Sequence, residues 1–137
     1  MGTVDESGNY QDDVFKLLIN VDLSAVYKHR TELVKVTPSC LFVYGKGGAG
    51  ESKLVGVANW ILERGFRTDN PWEITIPLED VINVYQGSYR AMGAMHYDEK
   101  AVGVDVKCDG RVMNYAIFTR SPVNLYEAIK RSRQKES

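Results

Sequence analysis

The sequence is poor in the residues that announce chemistry. It has two histidines, His29 and His96, far apart and without an EXXH or HXXXH partner. Its two cysteines, Cys40 and Cys108, have no CxxC neighbour, so spacing supports neither a zinc site nor a redox pair. Each cysteine lies in an apolar or alternating run and reads as a buried reduced thiol; a single bridge would be too little to imply secretion. There is no GxSxG element and no Cys-His signature, so nucleophilic catalysis has nothing to stand on. No catalytic residue, metal ligand or cofactor is therefore expected. Excess charge of one sign is also missing: 17 Lys and Arg against 18 Asp and Glu leave a net charge of −1. That balance gives no global attraction to nucleic acid or anionic lipid and leaves only local patches. No apolar run approaches the length of a membrane-spanning helix. The N-terminus lacks the basic and apolar blocks of a signal peptide, and Glu6 stands where a myristoylation motif needs Ser or Thr. These absences predict a cytoplasmic, non-enzymatic protein that does not bind nucleic acid.

What is present suits one domain. The chain has 137 residues, 44% hydrophobic and 26% charged, an ordinary globular composition. Residues 1–11 are polar and acidic and read as a flexible tail, leaving 12–137 as a single domain. From Asp12 or Asp13 as N-cap, Val14, Leu17, Leu18, Val21 and Ala25 follow helical spacing, which predicts a short N-terminal helix with a break around Asn20 to Leu23. Thr31 to Val36 and Cys40 to Tyr44 read as strands joined by the Thr37-Pro38-Ser39 turn. Leu54 to Arg64 has one apolar helical face and ends at Gly65, although Val55 and Val57 also suit a strand; Phe66 to Trp72 reads as a loop. Glu73 to Gly87 is strand-like with an interruption at Pro77, and Ser88 to Lys100 reads as a long connecting loop or ragged hairpin. Val102, Val104 and Val106 alternate with Gly103, Asp105 and Lys107, and Asp109-Gly110 signals a hairpin to Val112–Thr119. Ser121-Pro122 then opens a helix whose Leu125, Ala128 and Ile129 face inward.

Three of these pieces, in order, carry a resemblance. TELVKVTPSCLFVYG resembles the opening hairpin of the pleckstrin-homology-like (PH-like) superfamily, including its GRAM and bacterial branches. Ile76, Pro77, Leu78, Asp80 and Val81 resemble its kinked strand, and the Asp-Gly hairpin followed by SPVNLYEAIKR resembles its closing helix. The resemblance spans Thr31 to about Arg133. It implies an α+β domain: a strongly bent antiparallel sheet or partly open barrel capped by the C-terminal helix, here with an N-terminal helix and an inserted loop-helix at about 45–70. The function it implies is a non-catalytic binding module for a protein or anionic membrane partner. An exposed sheet edge would also allow a self-associating scaffold.

A competing signal is GKGGAGESK, Gly45 to Lys53, behind an apolar run and ahead of a helix-like one. It resembles the P-loop with an early lysine found in the nitrogenase iron protein and partition ATPases, through Gly45, Lys46, Gly47, Gly48, Gly50 and Ser52. In that frame Ser52 would reach magnesium, and Asp105 ends a run akin to Walker B. Glu51 replaces the phosphate-clamping lysine. At about 4 Å and intermediate dielectric this exchanges roughly 4 kcal/mol of attraction for comparable repulsion. The alternative function is thus a degenerate or unusual P-loop nucleotide-binding protein. As ligand-binding residues the sequence offers five basic side chains that could converge on one rim: Lys46, Lys53, Arg64, Arg67 and Arg90. The Thr37-Pro38-Ser39 turn, where PH-like domains usually bind anions, carries no basic residue.

Overall fold

The stretch with helical spacing near the N-terminus is a strand, β2 (Tyr10–Val21), and the rest of the fold pairs around it. The computed structural model describes residues 2–4, 9–21, 24–28, 31–46, 71–91 and 93–136. Strand β1 (Thr3–Val4) pairs with Tyr10 and Gln11, so the expected tail contains paired backbone. Next come β3 (Ser24–Lys28), β4 (Thr31–Val36), β5 (Cys40–Lys46) and β6 (Pro71–Pro77). A 3-10 turn at Leu78–Asp80 leads to β7 (Val81–Ala91), β8 (Ala94–Cys108), β9 (Arg111–Thr119) and the helix α1 (Pro122–Glu136). The sheet path is β6-β5-β4-β2-β9-β8-β7, with β1 and β3 also on β2. Every described ladder is antiparallel, whereas a P-loop fold sets parallel strands between crossover helices.

β2 serves two sheets. Its start pairs with β4 as far as Asp13↔Leu33; from Val14↔Thr119 onward it pairs with β9. The ladder to β9 is irregular at Phe15, and such a bulge bends a strand where it must change sheets. A buried carboxylate ties this corner: Asp12 Oδ2 accepts from the Tyr10 hydroxyl at 2.7 Å and the Thr119 hydroxyl at 2.9 Å. The Thr31 hydroxyl donates to the Val14 carbonyl at 2.9 Å beside it.

The helical spacing misleads because this strand is covered on both faces. Leu17, Leu18 and Ile19 are consecutive and all buried, so alternation disappears and leaves an apolar run that either period can fit. Leu17 and Ile19 enter the main core, which also draws on Val34, Leu41, Ile76, Val102, Val104 and Ile117. Leu125, Ala128 and Ile129 of α1 fill the open side of that core, as their spacing predicts. Arg133 Nη2 pins the helix to β7 through the Val81 and Ile82 carbonyls at 3.2 and 3.3 Å.

Other expectations change in detail. Thr31–Val36 does not open the sheet, since β2 and β3 precede it. Pro71 and Trp72 begin β6 and are not part of a loop. The Ile76 to Asp80 segment carries the chain from the first sheet to the second, while the strand shared by both sheets is β2. Ser88–Ala91 and Ala94–Lys100 are strand in the β7–β8 hairpin, whose register shifts, so the hairpin reading of this stretch holds and the loop reading does not. Cys40 is half-buried and Cys108 exposed, both as free thiols, because Cys108 lies next to the hairpin turn and not in the core. The inserted loop-helix, from Gly47 onward, lies outside the described residues.

Candidate binding site

The β7–β8 hairpin doubles back. Its base pairs Val81 with Val106 through Gln86 with Val102, then the register jumps and Ser88 meets Tyr97. Gly87 sits at the jump with φ +74°, a conformation that favours glycine. The distal part of the hairpin lies over the outer face of β8: a Cβ on Gly103 would come within 2.8 Å of Tyr89 Cα. Tyr89 then packs edge-on against Phe118, with ring centroids 5.6 Å apart, over a second apolar cluster of Leu18, Ala101, Ala116 and Phe118. This covering explains why Ala101 to Val106 is buried throughout and not on the valine side alone.

Beside that cluster the outer face turns polar. Asn20, Asn114, Asp105 and Asn83 are in register across β2, β9, β8 and β7, one row along from the residues under Tyr89. Asp105 is 3% exposed. Its Oδ1 accepts from Asn114 Nδ2 at 2.7 Å and its Oδ2 from the Tyr85 hydroxyl at 2.6 Å. Arg90, on the returning hairpin, has Nε 3.5 Å from Asp105 Oδ2 and donates to the Tyr85 hydroxyl at 3.2 Å. The Arg90 backbone N–H donates to Asn114 Oδ1 at 3.2 Å, completing the link. Burial, and then the bond to Asp105, raises the Tyr85 pKa; the Tyr85 bond and the Asp105 charge raise that of Arg90.

Asn20 is different. It is 4% exposed, and neither amide atom has a hydrogen-bond partner among the described residues. A buried polar group left unpaired costs about 1–3 kcal/mol, so its retention calls for a reason. Asn20 lines a cavity of about 410 Å³, together with Asn114, Asp105, Arg90, Met95 and Val112. Its described walls hold no Ser, Cys, His or Lys. What remains is an open arrangement that can donate and accept hydrogen bonds, with no Ser, Cys, His or Lys among the described lining residues and with its one carboxylate already engaged.

Of the five basic residues expected to bind ligand, Arg90 reaches this cavity. Lys46 ends β5, paired with Pro71. Lys53, Arg64 and Arg67 lie outside the described residues, as does the glycine stretch from Gly47 through Ser52. Asp105, considered as a Walker-type acid, is instead held by Asn114, Tyr85 and Arg90. Glu79 and Asp80 lie in the 3-10 turn and not on a strand. Sequence reasoning passed over Asn20 and Asn114. The available signal was a lone asparagine inside each apolar run, LLINV and VMNYAIF, where a core strand has no use for an amide.

Fold and site together define an α+β architecture, a bent antiparallel sheet with one C-terminal helix and a cavity of mixed polar and apolar lining on its outer face. No protein-family model, curated protein or solved structure matches the chain. Among the described residues no helix is long and apolar enough to cross a membrane, and no group of three or more His, Cys, Asp or Glu could hold a metal.

Proposed function

We propose that this chain is a non-catalytic binding module of the PH-like type, and that it engages a partner through the cavity beside Asn20. The PH-like assignment is supported by the antiparallel meander, the corner-forming β2 and a closing helix seated in the core. The observation that carries the function is Asn20, which lines an open cavity while its buried amide has no partner among the described residues. Folding alone gains nothing from such a group, whereas a ligand or partner would. Arg90 and Asp105 offset each other's charge there, which favours a protein partner over an anionic membrane. A fragment screen by two-dimensional NMR, using neutral and charged compounds on the full chain, tests the reading. Hits should concentrate on the signals of Asn20, Asn114 and Arg90. Hits scattered over the surface, or centred elsewhere, would sink it.

A further inference from the structure

Building on the binding-module reading, we infer that the cavity recognises a neutral amide edge, a carbonyl acceptor and an N–H donor side by side, and that Asn20 is its pairing group. The polar neighbours of Asn20 are already engaged. Asn114 Oδ1 accepts from the Arg90 backbone, Asn114 Nδ2 donates to Asp105, and the second Asp105 oxygen takes the Tyr85 hydroxyl. Among the described residues, the Asn20 carboxamide keeps both a donor and an acceptor unspent. A group that satisfies both at once must itself present an acceptor beside a donor, as a primary amide or a lactam does.

Charge selects against ions. Arg90 Nε and Asp105 Oδ2 are 3.5 Å apart, so an anion attracted by one is repelled by the other at similar range. A phosphate or a carboxylate therefore meets a pair with no net charge. The apolar walls, Met95 and Val112, suit the faces of a planar group, and methionine adapts to its outline. The volume of about 410 Å³ falls within the roughly 300–1,000 Å³ typical of ligand pockets. It exceeds by far the roughly 30 Å³ share of one water molecule.

Two sources offer this chemistry: the carboxamide of a glutamine or asparagine on a partner protein, and a free lactam heterocycle such as a pyrimidine base. Titrations of the isotope-labelled full chain with N-acetylglutamine methylamide and with uracil, against acetate and inorganic phosphate, separate them. One amide probe should saturate at millimolar concentration or below and shift the Asn20 side-chain signals. Asn20→Leu should weaken it by about tenfold or more, as loss of paired hydrogen bonds implies. Asn20→Asp, which keeps the shape but loses the donor, should weaken it as well and serves if the leucine variant does not fold. Stronger binding of the glutamine probe assigns the site to a protein side chain; stronger binding of uracil assigns it to a heterocycle. Acetate or phosphate binding as tightly in the same cavity would overturn the amide chemistry and leave the binding-module reading intact. Failure of both amide probes to saturate, or binding unchanged in both Asn20 variants, overturns the inference too, while the fragment screen decides the broader reading separately.

Discussion

Asn20 and Asn114 face each other across β2 and β9, yet substitution should affect them in opposite directions. Asn20→Leu removes an unpaired buried amide and is expected to raise stability by about 1 kcal/mol. Asn114→Leu strips a donor from Asp105 and an acceptor from Arg90, and should cost roughly 2–3 kcal/mol. Urea midpoints measured side by side check this; equal losses would mean that the Asn20 amide has a partner within the chain. Tyr115 makes a pH prediction. Burial, then the neighbouring Cys108, pushes its pKa from 10.0 up to about 12. The folded state thus holds this proton more tightly than the unfolded state. Its contribution is fully present below pH 10 and is lost as pH rises from 10 toward 12. Two units correspond to roughly 3 kcal/mol. Stability followed by circular dichroism should fall across that window, and Tyr115→Phe should flatten the fall.

Among the elements, the returning β7–β8 hairpin is the one whose position decides the site. Its distal half sits directly on Gly103, where a Cβ would lie 2.5 Å from the Ser88 carbonyl oxygen. Gly103→Ala should push that half outward and cost about 1–3 kcal/mol, the usual range for overpacking. Ring-current shifts from Tyr89 on Phe118 and His96 should diminish together with the Arg90 to Asn114 contact. A variant with wild-type shifts and stability would show that the hairpin is not seated there. The same element marks how far the sequence could be read. Its base strands were legible in the valines of Ala101 to Lys107, but Ser88 to Lys100 reads as loop or ragged hairpin because its polar residues cover another strand instead of entering a core. β2 reads as a helix for the converse reason: a strand covered on both faces loses its alternation.

For the molecule as a whole, two rival functions give different outcomes. A P-loop protein would be stabilised by nucleotide, because a ligand that binds only the folded state raises its melting temperature. With antiparallel β4 and β6 on either side of β5, the melting temperature is expected to stay unchanged in millimolar Mg-ATP or Mg-GTP. A rise of several degrees would restore the nucleotide reading. A self-associating scaffold would pair its terminal strands, β6 or β7, edge to edge. Light scattering at increasing concentration should report a constant mass if the cavity, and not an edge, is the working surface.

By itself the sequence determined the features whose causes are local. Asp109 and Gly110 both take positive φ, 50° and 77°, as the Asp-Gly pair implies, so the β8–β9 turn was readable. Thr37, whose backbone N–H and hydroxyl meet the Cys40 carbonyl, closed the β4–β5 turn where Thr-Pro-Ser stands. Ser121-Pro122 and the spacing of Leu125, Ala128 and Ile129 specified the last helix and its inward face. Tertiary structure alone decided that β2 is a strand shared by two sheets, because ladders to β4 and β9 and burial on both faces come from distant parts of the chain. It also decided the site. Asn20, Arg90, Asp105 and Asn114 belong to four strands, and each is an unremarkable polar residue in its own segment. Only the sheet register and the fold-back at Gly87 bring them to one cavity and leave the Asn20 amide without a partner among the described residues.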